Sequence, residues 1–401
     1  MTITDTHTGA RIDTIPGLDP APSYQPTAER SPGGLPQVLL PSGHAAVHLT
    51  TYADVHRVLA DSSFARTETN VEDGPSFLPT IMPPELLLNL DVPDHARMRG
   101  VVTSDYSAAG VEQLRPTVEK VLAERTSALR AQEHPDLFAT VLDQLPVTVN
   151  CHFLGLPVAD IAAFRPYART VQMAPDTDVP HLLDHFWKVY GYVTDLVTGE
   201  RPVEPGGLID RFKRGRDAVE PPLSDKELVG LLLGSLLGGD QNILSVLGKA
   251  VYALLAVPSL WERLVAEPAM APRLTDELIR LMPLGTISTF PRVATRTVAV
   301  GEGEIRAGDV VYADAFAANR DPLAFPDPLL IDPDRQGRRH LQFGYGMHHC
   351  MGAALARMEI TAVLTHLATE FPRLRLTADP ATLPWDQGVL LRRPTALPVA
   401  W

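Results

Sequence analysis

The run from Ser224 to Ala256 constrains the fold more than any other stretch of the chain. It is apolar through most of its length, contains no proline, and opens with Ser224 and Glu227 at capping-box spacing. One long, largely buried helix is predicted. Leu114 to Leu129, Leu137 to Leu154, His181 to Val197 and Pro272 to Leu281 repeat apolar residues at three- and four-residue intervals and predict further helices. Short apolar or alternating runs, Val38 to Leu40, Ala46 to Leu49, Val298 to Val300 and Val310 to Ala313, are bounded by turn residues and read as strands. The fold class is therefore mainly α with small β-sheets.

No repeat is visible, which sets aside solenoids and propellers. Residues 1–26, broken by Pro16, Pro20, Pro22 and Pro26, read as an extended N-terminal lead-in to a single catalytic domain at 27–401. Proline and glycine gather at Asp73 to Pro84, Pro202 to Gly207 and Pro322 to Pro333, taken as loops within one body. Phe77, Leu78, Ile81 and Met82 make the first of these unusually apolar: it lines a pocket or packs on a neighbouring helix.

With 45% hydrophobic and 21% charged residues the chain can bury a sizeable core. A formal charge of -13 opposes attraction to nucleic acid and to anionic membrane surfaces. The polar, proline-broken start offers no apolar core for a signal peptide or anchor, so a cytoplasmic protein is expected. Two cysteines are too few for a disulfide framework. Cys151, inside the apolar stretch Val147 to Leu156, reads as a small buried hydrophobe.

Cys350 sits differently, in Phe343-Gly344-Tyr345-Gly346-Met347-His348-His349-Cys350-Met351-Gly352, ahead of a helical pattern from Ala353 to Leu367. A metal-binding thiolate needs a tight loop that exposes sulfur, amide N–H groups that stabilise its charge, and a helix N-terminus directed at it. Glycines permit such wrapping. From the residues alone the cysteine is structural, a redox thiol, a nucleophile or a metal ligand. Phe343-Gly344, Gly346, His348, Cys350 and Gly352, however, resemble position by position the haem-binding loop of the cytochrome P450 family. The likeness implies Cys350 as the axial iron ligand of a b-type haem, held between the long central helix and the cysteine-loop helix, and Phe343, Gly344, His348 and Gly352 as parts of the haem site.

Three more segments follow in the family's order, so the resemblance spans roughly Leu49 to Leu391. Glu277 and Arg280, which alone suggest a surface ion pair, correspond to the family's Glu-x-x-Arg and imply a buried structural triad with Arg335. His95 and Arg99, four apart, suggest a solvated basic face by themselves; with Arg292 and His348 they resemble the donors to haem propionates. Gly238 and Gly239 in the long helix are costly, and imply a kink with close approach of dioxygen, or tight packing. There the chain departs from the family, whose acid and alcohol are replaced by Gln241 and Asn242. Amides release no proton at neutral pH, so a relay through Gly239, Asp240, Gln241 and Asn242 would run through ordered water.

The resemblance implies an oxidoreductase fed with dioxygen and with electrons from a ferredoxin and its reductase, since no flavin or nicotinamide fingerprint accompanies the haem region. Arg97, Arg338, Arg339 and Arg357 are expected to receive the ferredoxin, or are scattered solubilising charges. By family alignment the substrate pocket takes Phe77, Leu78 and Ile81, then Leu236, Gly239, Asp240 and Ile243, then Ile287, Ser288, Thr289 and Phe290, then Val389 and Leu390. Its lining suits an apolar or aromatic secondary metabolite with a few polar handles. Pro166 to Trp187, interrupted by Pro175 and Pro180, is expected to gate it. Two reactions are expected: monooxygenation, or removal of hydrogen from an aromatic N–H or O–H with formation of a C–C or C–N bond, tryptophan-containing cyclodipeptides included. A haem protein that senses or carries a ligand without turnover is the third reading.

Overall fold

A computed structural model describes residues 9–19, 24–173, 178–388 and 390–401. The helices that frame the site are α1 (Asp94–Val102), α2 (Leu145–Leu154), α3 (Ile161–Met173), α4 (Val179–Thr198), α5 (Asp225–Leu237), α6 (Ile243–Ala256), α7 (Ala271–Leu281) and α8 (Ala353–Glu370). The capping box forms: Ser224 Oγ accepts from the Glu227 N–H while a Glu227 carboxylate oxygen accepts from the Ser224 N–H at 2.8 Å. The expected long helix is present but interrupted. One π turn, Gly238–Asn242, joins α5 to α6. Leu137 to Leu154, expected as one helix, splits into a π turn (Phe138–Leu142) and α2, which restarts with Pro146 in its first turn, where a missing N–H costs nothing.

The 225–256 span is long and apolar enough to cross a membrane, but 72% of its most apolar window is buried by the protein itself. It is the core around which α2, α4 and α8 pack. Beside this helical body stands a six-stranded sheet of β1 (Gln25–Pro26), β2 (Gln37–Leu39), β3 (Ala45–Leu49), β4 (Phe64–Ala65), β5 (Arg292–Ala294) and β6 (Val310–Ala313), in the order β1-β2-β3-β6-β5-β4. Only β3 and β6 run parallel, with Val47 opposite Val311. The sheet holds Arg292 in β5 and sets Arg66 directly after β4.

The lead-in is not a free extended arm. Ile12, Ile15 and Leu18 are buried in the helical core, the Ile12 N–H donates to the Leu329 carbonyl at 2.9 Å, and Tyr252 Oη donates to the Pro16 carbonyl at 2.7 Å. Three apolar residues at three-residue spacing supply the burial that outweighs the prolines. Cys151 is buried, and burial pushes its thiol up to about 12, as fits an inert core residue.

Candidate active site

The cysteine loop is wound by its glycines. Gly344 (φ +70°) and Gly346 (φ +67°) lie in the left-handed region, and a Cβ on Gly346 would stand 2.5 Å from the Leu59 carbonyl. The Cys350 N–H donates to the Phe343 carbonyl at 2.8 Å, closing the loop, and α8 begins three residues later. Cys350 is accessible although protein surrounds it, because its free surface opens into an internal cavity of about 340 Å³. Burial pushes the thiol up; the Gly352 N–H, Arg99 and Arg357 pull it back toward the thiolate.

Across the same cavity stand Arg292, His348 and Arg66. Burial lowers Arg292 to about 10 and Arg66 to about 9, the signature of guanidinium groups desolvated without a full counter-anion. Arg292 Nε and His348 Nε2 are buried and make no hydrogen bond among the described residues; Asp91 Oδ1 lies 3.8 Å from the latter. His95 is packed edge-on to His348 at 4.7 Å, and burial followed by the neighbouring His348 lowers it to about 4. Arg99 donates to the Met347 carbonyl at 2.8 Å. The four expected donors therefore gather around the cysteine loop, with Arg292 and His348 at the cavity wall and His95 and Arg99 behind it. Arg66 was not read from sequence, although a lone arginine directly after the short apolar strand β4 is a buried-charge signal.

Glu277 receives both partners of the expected triad. Arg280 donates to its two oxygens at 2.8 and 2.7 Å and Arg335 Nε to one of them at 3.1 Å, with Glu277 and Arg280 buried. The basic docking set is reduced. Arg97 is ion-paired with Glu227, and Arg357 with Asp276 at 2.6 Å, which leaves Arg338 and Arg339 as its exposed members.

A second cavity of about 750 Å³ is lined by Leu78, Ile81, Ile287, Leu390 and the inner faces of α3 and α4, and shares Asn242, Ser288, Thr289 and Phe290 with the first. Gly239 and Ile243 line the first cavity. Phe77, Leu236, Asp240 and Gln241 line neither. In a helix, 234, 238, 242 and 246 share a face and 236 and 240 lie opposite, so Leu236 turns into the core and Asp240 meets Arg165 at 2.9 Å. Gln241 donates to Asp240 at 2.7 Å and accepts from Arg393 at 2.7 Å, so both ends of its amide are engaged away from the cavity. Phe77 is buried edge-on to Tyr312 at 4.9 Å. Val389 lies outside the described residues, as do 174–177, Pro175 included, in the expected gating segment; 166–173 end α3 and 179–187 begin α4.

Glu359 on α8 is a further buried carboxyl, with neither oxygen hydrogen-bonded among the described residues; burial pushes it well above the carboxylate range, favouring the protonated form. Its raised folded pKa gives stability that is complete below the unfolded value of about 4.3 and is lost as pH rises above it. Glu359→Gln is therefore expected to raise the denaturation midpoint by more at pH 8 than at pH 5. An equal shift at both pH values would show that Glu359 takes up no proton on folding.

Comparison with known proteins agrees with this geometry. Residues 207–398 match the family model described as Cytochrome P450. The chain is 35% identical over 388 residues to the mycinamicin IV hydroxylase/epoxidase of Micromonospora griseorubida, covering 96% of this chain and 97% of that protein. It is 35% identical over 404 residues to the nocardicin C N-oxygenase of Nocardia uniformis subsp. tsuyamanensis, covering all of both. Among solved structures, that of cytochrome P450mel, described as having biaryl coupling reactivity, superposes with a TM-score of 0.84 at 33% identity, over 89% of this chain and 91% of that one.

Proposed function

The chain belongs to the cytochrome P450 family, an oxidoreductase of secondary metabolism with a haem-thiolate centre, and from that premise we propose that it couples an aromatic metabolite oxidatively through an N–H or O–H group. Tryptophan-containing cyclodipeptides are the substrate class named by this reading. The residues present fit the haem: a thiol opening into the cavity, opposite the buried guanidinium groups of Arg66 and Arg292 and the His348 imidazole, with no hydrogen bond to Arg292 Nε or His348 Nε2 among the described residues, suits an iron ligand facing a group with two carboxylates. Cys350 would hold the iron and Arg66, Arg292 and His348 the carboxylates of a b-type haem. Haem, when bound, supplies the dioxygen-activating iron.

The observation that carries the substrate reading is the polarity of the cavity wall. Ser288 Oγ donates to Asp314 at 2.9 Å and lies 3.1 Å from Tyr312 Oη, while Thr289 Oγ1 donates to the Ala313 carbonyl at 2.6 Å. Burial pushes the Asp314 carboxyl up, but His48 and the Ala317 N–H hold it below its ordinary range, so it is an acceptor only. Each hydroxyl has one proton and has committed it inward. What Ser288 and Thr289 present to a ligand is lone pairs, which select N–H and O–H donors. Asn242 at the cavity wall holds such a ligand or an ordered water, and supplies no acidic proton.

Monooxygenation is the second reading, favoured by the names of the two relatives above. Electrons would come from an acidic ferredoxin and its reductase, docking at exposed Arg338 and Arg339 in a cytoplasmic setting. Turnover under isotopically labelled dioxygen with aromatic cyclodipeptides separates the reactions. Dimeric or ring-closed product with hydrogen lost and no label is expected; one labelled oxygen atom per product overturns coupling. Gln241→Glu with Asn242→Thr is expected to bring labelled oxygen into the product by supplying an acid and an alcohol. An unchanged product ratio would remove the amides from the explanation.

A further inference from the structure

The π turn Gly238–Asn242 is braced from outside its own helix. Asn150 on α2 donates through Nδ2 to the Ser235 and Leu236 carbonyls at 3.4 and 3.2 Å, and Gln172 on α3 donates through Nε2 to the Leu237 carbonyl at 3.1 Å. The three carbonyls that precede the bend thus each take an N–H from a side-chain amide of another helix. Asn150 also fills the space beside Gly239, where a Cβ would lie 2.4 Å from Asn150 Oδ1; close packing accounts for this glycine. Gln172 has a second contact: the same Nε2 donates to Asn242 Oδ1 at 3.2 Å. Its own Oε1 is buried without a donor among the described residues, so Gln172 is fixed by donation alone. The amide has one workable orientation, because a flip would set its oxygen against the two oxygens it now serves.

Resting on the reading of the first cavity as the haem pocket, we propose that Gln172 is a positioning residue that sets the carboxamide of Asn242. One NH2 group ties a covering helix, the bend and the polar side chain at the cavity wall into a single unit. With Asn242 Oδ1 held by Gln172, its Nδ2, which makes no hydrogen bond among the described residues, is left as the donor on that side. The wall therefore offers acceptors from Ser288 and Thr289 and one donor from Asn242, a combination that suits a ligand carrying both N–H and C=O, as an amide does.

The test compares Gln172→Met, which keeps the length and removes the donor, with Gln172→Glu, which keeps the shape and opposes oxygen to oxygen. In haem-loaded enzyme Gln172→Met is expected to lower product formed per electron pair about fivefold to tenfold, with Gln172→Glu lower still. Binding of an amide-bearing cyclodipeptide, read by its optical shift, is expected to weaken while binding of imidazole stays the same. Adding Gln172→Met to Asn242→Ala should cost nothing further, because Gln172 acts through the carboxamide that the alanine lacks. Amide hydrogen exchange of apoprotein, independent of turnover, should quicken in 235–243 in both Gln172 variants. Additive effects of the two changes, equal loss of cyclodipeptide and imidazole binding, or unaltered exchange at the bend would each overturn the proposal. Failure of the wild-type protein to bind haem through thiolate would instead overturn the pocket reading on which it rests.

Discussion

Cys350→Ser is expected to abolish the red-shifted carbon monoxide band of the reduced haem protein and to cut turnover on the order of a hundredfold or more. The loop geometry makes the change diagnostic. The Cys350 N–H donates to the Phe343 carbonyl whichever side chain it carries, and Gly344 and Gly346 hold the turn, so serine occupies the same place with a poorer donor atom. The fold should persist, and far-ultraviolet circular dichroism should be unchanged. Survival of the shifted band in the serine variant would mean that the thiol in the cavity is not the iron ligand.

Glu277→Ala is expected to destabilise the protein by about 3–5 kcal/mol, because it strips the carboxylate from two arginines and leaves Arg280 charged in the core. Arg280 keeps the Asn319 and Pro328 carbonyls at 2.7 and 2.8 Å, which hold its orientation but do not neutralise it. The Asp332 N–H also loses its acceptor, a Glu277 oxygen at 3.0 Å, so the loss extends to the loop that carries Arg335. Denaturant midpoints of apoprotein and haem-loaded protein measure it. A loss under about 1 kcal/mol would class the triad with ordinary surface pairs.

Fold class was legible in the sequence because helical periodicity is a local signal: the Ser224 capping box and the apolar run behind it formed as read. The π turn was not, since Gly238 and Gly239 announce only that something needs space. What fills the space beside Gly239, Asn150, and what braces the bend with it, Gln172, come from helices far away in the chain. The cysteine loop and the triad were readable only through the family resemblance: alone, Cys350 kept four readings and Glu277 with Arg280 suggested a surface pair, while Arg335 joins them from 58 residues away. Asp240 and Leu236 were assigned to the pocket by alignment, but helical rotation through the bend turns them to the opposite face, where Arg165 holds Asp240. Arg66 and Asp314 show the other boundary: each is buried by tertiary packing, and which way the half-buried Ser288 hydroxyl points its proton depends on Asp314, 26 residues away.

The anchored lead-in bears on the order of synthesis. Ile12 has its hydrogen bond at Leu329, and the Ala10 carbonyl has its partner at Ile331, so this early segment stays unsatisfied until residues beyond 329 have emerged. Closure of this seam comes after β4, which Arg66 follows, and β5, which carries Arg292, have been made. A nascent chain halted just short of Leu329 should therefore leave the 9–19 segment open to protease, and one extended past Leu397 should protect it.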